Sequence, residues 1–199
     1  MWPAEMRGAR VLELGCGTGA TIRLLRERGL CAWAAGIETH GEAADAARGS
    51  LDHLVVGDVE RCELGLTPGS IDVLLCLDVI EHLVDPWAAL ARLSRLVRPG
   101  GAVIASIPNL RFYKVVLPLV LSGRWTYRDD GIMDRTHLRF FTWETIEHLM
   151  RSAGLTIDAV APDGLDGKRN RQFWNMVTFG RFRDLFIYRY ILRARSPAR

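Results

Sequence analysis

A chain of 199 residues, 49% apolar and 25% charged with a net charge of +3, has the length for one well-buried domain and the ordinary charge of a soluble protein. No stretch approaches the roughly 18 consecutive apolar residues of a membrane span; the best candidate, 115–121, is broken by Pro118. The N-terminus lacks the basic-then-apolar pattern of a secretory signal, so a cytoplasmic location is expected. Cys16, Cys31, Cys62 and Cys76 show no Cys-x-x-Cys spacing and are read as reduced thiols, three of them in or beside apolar runs.

About ten residues precede the first strand, so helices covering a ligand at the N-terminus are missing or supplied elsewhere. Val11, Leu12 and Leu14 form a short apolar run suited to a strand buried on both faces. Gly15, Gly17 and Gly19 end it and let a ligand approach the backbone. Thr18 is expected to cap a helix carrying Ile22, Leu24 and Leu25. Strand, glycine-rich turn and helix make half of a nucleotide crevice. Glycine spacing alone leaves three readings open: a small-residue βα turn, a dinucleotide fingerprint (Gly15-x-Gly17-x-x-Ala20 with Glu38), or another cofactor site.

Residues 31–38 read as a second strand ending in Glu38, followed by an alanine-rich helix over 41–48. Residues 53–58 read as a third strand ending in Asp58. Pro68-Gly69 marks a turn, and 71–77 is the most apolar strand, followed by Asp78. Asp85 and Pro86 open a helix predicted to run to Val97, and Pro99-Gly100-Gly101 leads into a strand over 102–107. Residues 109–140 are longer than an ordinary connection, rich in aromatics and arginine, and hold Asp134 and His137. Thr142 opens a helix ending at Gly154, 155–160 is a strand, and 186–192 is a last, antiparallel strand. The alternation predicts one α/β domain over 1–199, doubly wound and Rossmann-like, with an insertion at 109–140.

Charge is lopsided. From Lys168 onward nine basic residues face only Asp184, a balance of +8 that leaves about −5 for the first 167 residues. That basic end suits either an anionic substrate or membrane surface, or a plainly solvated strand and helix.

Glu13 before the glycines gives Glu-x-Gly-x-Gly-x-Gly, which resembles motif I of the class I S-adenosylmethionine-dependent methyltransferases. The resemblance extends through Glu38, Gly57-Asp58, Asp78-Val79-Ile80-Glu81-His82-Leu83 and Leu96-Val97-Arg98-Pro99-Gly100-Gly101, covering about residues 9–195. Residues 134–142 are similar to a stretch in bacterial glycan and quinone biosynthesis enzymes. The family implies a seven-stranded sheet of order 3-2-1-4-5-7-6. It also implies S-adenosylmethionine bound by Glu13, Gly15, Gly17, Thr18, Gly19, Glu38, Asp58, Val59 and Asp78. Glu38 would accept from the ribose hydroxyls and Asp58 from the adenine amino group; helix capping is the second reading of each.

Methyl transfer to a hydroxyl needs a proton acceptor, and His137 is the candidate, with Asp134 as its orienter; a structural hydrogen bond is the competing reading. Leu77-Asp78-Val79-Ile80 departs from the Asn/Asp-Pro-Pro-aromatic run of adenine and glutamine N-methyltransferases, which disfavours those nitrogens, favours oxygen and leaves carbon open. Asp78-x-x-Glu81-His82 with a later histidine resembles a magnesium set in which Asp replaces the first Glu, and the reading adopted assigns no metal. The expected acceptor is small or lipid-linked, with no nucleic-acid partner and with peripheral membrane contact as an option. Phe112, Tyr113, Trp125 and Tyr127 would wall its pocket, and Arg111, Lys114, Arg124 and Arg128 would meet an anionic group. The alternatives are a nicotinamide oxidoreductase, disfavoured by the lack of a Tyr-x-x-x-Lys pair, and a non-catalytic cofactor-binding domain.

Overall fold

The computed structural model describes residues 1–164, Met176, Gly180 and residues 182–198. β1 (Ala9–Leu14) is buried at every position but Arg10, because both faces of the sheet are covered, Leu12 and Leu14 entering one core and Val11 the other. It pairs in parallel with β2 (Cys31–Glu38) and β4 (Ile71–Leu77). β3 (His53–Val56) extends β2, and β5 (Val97–Pro108) extends β4, both parallel. β7 (Arg189–Arg195) lies antiparallel between β5 and β6 (Thr156–Asp163). The sheet order is β3-β2-β1-β4-β5-β7-β6, the order expected.

Alternate residues of the central strands feed two cores, as the two-residue period of a strand demands. Leu12, Leu14, Leu74, Cys76, Val103 and Ala105 meet Leu90 and Leu93 of α3 (Pro86–Leu93) and Ile146 and Leu149 of α5 (Trp143–Ser152). On the other face Val11, Val73, Leu75, Ala102 and Ile104 pack with Met6 and with Ile22 of α1 (Ala20–Glu27). Two further helices are α2 (Gly41–Ala47) and α4 (Tyr113–Ser122). All four cysteines are free; Cys16, Cys31 and Cys76 are buried and Cys62 is half-buried.

Several boundaries differ from expectation. Gly19, not Thr18, occupies the N-cap of α1; its φ of 75° suits glycine, and no side chain caps the helix. The Thr18 carbonyl instead accepts from Arg23 at 2.6 Å. α3 ends at Leu93, and a tight turn over Ser94–Leu96 hands the chain to β5. There Val97 pairs with Ile71 rather than extending the helix, and Ser94 Oγ donates to the Ala91 and Ala153 carbonyls. β7 begins at Arg189 because 183–186 is a tight turn whose exit is pinned, Asn109 Nδ2 donating to the carbonyls of Asp184 and Ile187.

Nor is the basic C-terminal strand free. Arg193 and Arg195 both donate to Asp158, Arg195 also to Glu5, and Arg189 bridges Asp78 and Asp163. Lys168, Arg169, Arg171, Arg181 and Arg199 lie outside the described residues.

Candidate active site

The loop after β1 turns through Gly15, Gly17 and Gly19, all at positive φ. A Cβ built on Gly17 would meet nothing within 4 Å, so the backbone there lines open space. Glu38, at the end of β2, fastens this loop: Oε2 accepts the Gly17 N–H at 2.8 Å and Oε1 the His40 N–H at 2.9 Å. Burial works to raise the Glu38 pKa, but the His40 and Gly17 amides outweigh it and hold the carboxyl below its usual range. Glu13 sits beneath the loop, 3% exposed, and burial pushes it up to about 7 against a hydrogen bond from Thr21. Its Oε2 has no partner.

Asp58 lies two residues beyond β3 rather than at its end. Its Oδ1 accepts the Glu60 N–H at 2.8 Å and Oδ2 stands 3.5 Å from Arg61 Nε, so the carboxylate organises a turn. Val59 beside it is buried, and Arg92 holds the carbonyls of Val59 and Cys62. Asp78, with φ 53°, is the one described residue other than glycine at positive φ. Such a conformation persists where its surroundings over-determine it. Here the carboxylate accepts from Ser106 Oγ at 2.8 Å and Arg189 Nη1 at 2.9 Å. Arg189, reached across 111 residues of sequence, carries no motif that would have marked it.

Beyond Asp78, the tight turn Ile80–His82 meets the end of the insertion. The Glu81 carbonyl accepts the N–H groups of Leu138 and Arg139 at 2.9 and 3.0 Å. The His137 side chain, 8% exposed, has Nδ1 at 3.0 Å from the Ile132 carbonyl; that nitrogen is therefore the donor, and Nε2 carries the lone pair. The Asp134 carboxylate does not make this contact. It accepts from Thr136 N–H and Oγ1 at 2.8 and 2.6 Å, so the hydrogen bond orienting His137 is Ile132's. Burial lowers the His137 pKa while the Ile132 carbonyl opposes it.

Glu81 Oε1 is 3.9 Å from His137 Nε2, and Oε2 is buried with no partner; burial pushes this carboxyl up to about 8. The His82 ring stands edge-on to His137, with centroids 4.7 Å apart, and its Nδ1 faces the Thr136 carbonyl at 3.3 Å. Glu81, His82 and His137 each offer a ligand atom, all within 4.8 Å of one another; Asp78 is outside this group.

A cavity of about 520 Å³ opens in the insertion, between α4 and residues 124–133. Phe112, Trp125, Lys114, Arg124 and Arg128 line it, as expected. Tyr113 instead stacks on Phe112 and Phe186, Arg111 pairs with Asp184 at 3.0 Å, and Tyr127 is exposed.

A parallel sheet with β7 inserted between β5 and β6, and a glycine loop facing a strand-end acid, define the methyltransferase class of Rossmann-like folds. The chain belongs to the methyltransferase domain family, whose model matches residues 1–160. A protein from Neisseria meningitidis serogroup C named ubiquinone biosynthesis O-methyltransferase is 30% identical over 160 residues, covering 77% of this chain and 66% of its own. One of the same name from Aeromonas salmonicida is 29% identical over 155 residues, covering 75% and 64%. The chain thus spans just under two thirds of the length of these relatives. An S-adenosylmethionine-dependent methyltransferase from Mesorhizobium loti superposes with a TM-score of 0.68 at 18% identity, covering 98% of this chain and 94% of its own. One from Archaeoglobus fulgidus gives 0.68 at 16%, covering 96% and 88%. These structures share the fold.

Proposed function

We propose that the chain is an S-adenosylmethionine-dependent methyltransferase acting on a hydroxyl of a small or lipid-linked acceptor. One observation carries the reading. A glycine loop with open space over Gly17 is fastened to Glu38, and His137 gives its Nδ1–H to the Ile132 carbonyl, which leaves the Nε2 lone pair 3.9 Å from Glu81 Oε1. The O-methyltransferase name of the two relatives supports oxygen as the acceptor atom.

The residues suit the cofactor. Glu38 keeps lone pairs for two ribose hydroxyls after accepting from Gly17 and His40, and Asp58 with the Val59 N–H matches an adenine edge. Glu13 places a carboxyl with one unpartnered oxygen under the loop, and Asp78, held by Ser106 and Arg189, places another where the methionine end is expected; both suit an ammonium group and neither a phosphate. That choice of charge disfavours a dinucleotide. The bound cofactor supplies a methyl group on a cationic sulfur, a leaving group needing no acid. The protein's work is then alignment, exclusion of water and removal of the acceptor's proton. His137 takes that proton on Nε2 while Ile132 holds Nδ1–H, and residues 109–140 cover the acceptor.

A second reading rests on the orphaned Glu81 Oε2. Glu81, His82 and His137 offer one oxygen and two nitrogens, and a carbonyl faces the second nitrogen of each histidine, the arrangement of histidines that bind metal. A divalent cation held there would polarise the acceptor oxygen.

One assay tests both readings: transfer of labelled methyl from S-adenosylmethionine into extracted small molecules and lipids. His137→Ala is expected to lower transfer by about 10²–10⁴-fold with cofactor affinity unchanged. Full transfer by this variant contradicts the base assignment, and full transfer by wild type after exhaustive chelation removes the metal. No transfer by wild type that binds the cofactor favours a non-catalytic domain.

A further inference from the structure

We propose that the cavity of the insertion is the seat of a phosphate monoester carried on an apolar body. The inference rests on the methyltransferase reading only in calling that ligand the acceptor. Its charge is unusual for the region. Arg111 and Arg135 are held by Asp184 and Asp129. Lys114, Arg124 and Arg128, which line the cavity, have no ion pair among the described residues, and only Asp130 opposes them there. Three cations against one carboxylate leave +2, the complement of a phosphate monoester of about −1.5 to −2 rather than a carboxylate of −1. Two of the three are arginines, whose forks match phosphate oxygens.

Apart from the hydroxyls of Thr126 and Tyr188, the rest of the lining is apolar, with the aromatic faces of Phe112 and Trp125. The apolar path continues outside. On α4, Lys114 and Pro118 belong to the lining, and Leu117 and Leu121, one turn from each, are 45% and 77% exposed. A chain attached to a headgroup in the cavity would cover those side chains. The seat also adjoins the reaction centre: Ile132 lines the cavity, and its carbonyl holds His137 Nδ1.

Calorimetric titration of the full chain with octyl phosphate, octanol, octanoate and inorganic phosphate tests the assignment, with S-adenosylmethionine titrated into each sample. Octyl phosphate is expected to bind at least about tenfold tighter than each of the others. Arg124→Gln combined with Arg128→Gln should lose about tenfold or more for octyl phosphate while keeping cofactor affinity, which also reports that it is folded. Arg135→Gln, a paired cation outside the cavity, should bind as wild type. Octanol or octanoate binding as tightly as octyl phosphate, unchanged affinity in the double variant, or an equal loss in Arg135→Gln would each overturn the proposal. A chain that binds octyl phosphate but not S-adenosylmethionine contradicts the methyltransferase reading and leaves the cavity assignment standing.

Discussion

Glu13 is a carboxyl in a site too dry for its charge. Its pKa of about 7 when folded, against about 4.5 when exposed, means that the native state holds a proton the unfolded chain releases. This contribution to stability is complete below about pH 4.5 and is lost as pH rises through about 7. Glu13→Gln keeps the shape and removes the titration. It should therefore be more stable than wild type at pH 8, by about 1–3 kcal/mol, and equal to it at pH 4, measured by urea unfolding. Cofactor affinity should move the opposite way: a cation beside Glu13 favours the carboxylate, so wild-type affinity rises with pH up to about 7 and Glu13→Gln flattens that rise. Equal stability of the two proteins at pH 8 would contradict the buried charge. Glu13, Glu38 and the glycines were legible in the sequence because a strand end fixes where the next residues point. Arg189 and Ile132 were not, because the first acts across the sheet and the second through a backbone carbonyl that has no residue signature.

At the scale of elements, the insertion is held by one fully buried polar residue. Asn109 donates twice to carbonyls before β7, and its Oδ1 accepts the Arg111 N–H at 3.1 Å. Its own N–H donates to Tyr188, and the next residue's to Phe141, tying β5, α5 and β7 together. Asn109→Ala strands two carbonyls and one N–H, at about 1–3 kcal/mol for each left dry. A loss of about 2–5 kcal/mol by urea unfolding is expected, and a loss under about 1 kcal/mol would mean that water replaces the side chain. Helices were legible where caps are explicit: Asp85 accepts the Ala88 N–H at 3.0 Å, and Thr142 forms a capping box with Thr145. α1 was misread at its start because a glycine cap leaves no hydroxyl to find, and α3 at its end because Val97 is claimed by Ile71 across the sheet.

For the whole molecule, the strands were legible as apolar runs punctuated by glycine, proline and acids and their order followed from the family resemblance, while the fate of the charges was not legible. The basic C-terminal strand looked available to an outside anion, yet Asp158, Asp163, Asp78 and Glu5 neutralise it. Lys114, Arg124 and Arg128 of the insertion have no ion pair among the described residues and lie beside exposed apolar residues of α4. No helix among the described residues is long and apolar enough to cross a membrane.

The most direct test is calorimetric titration of S-adenosylmethionine and NAD into wild type, Glu38→Ala, Asp58→Ala and His137→Ala. The account predicts one S-adenosylmethionine per wild-type chain and no binding of NAD. Glu38→Ala and Asp58→Ala should each weaken the cofactor by about 1–3 kcal/mol, and His137→Ala should leave it unchanged. NAD binding in place of S-adenosylmethionine, or wild-type affinity in both acid variants, would contradict it.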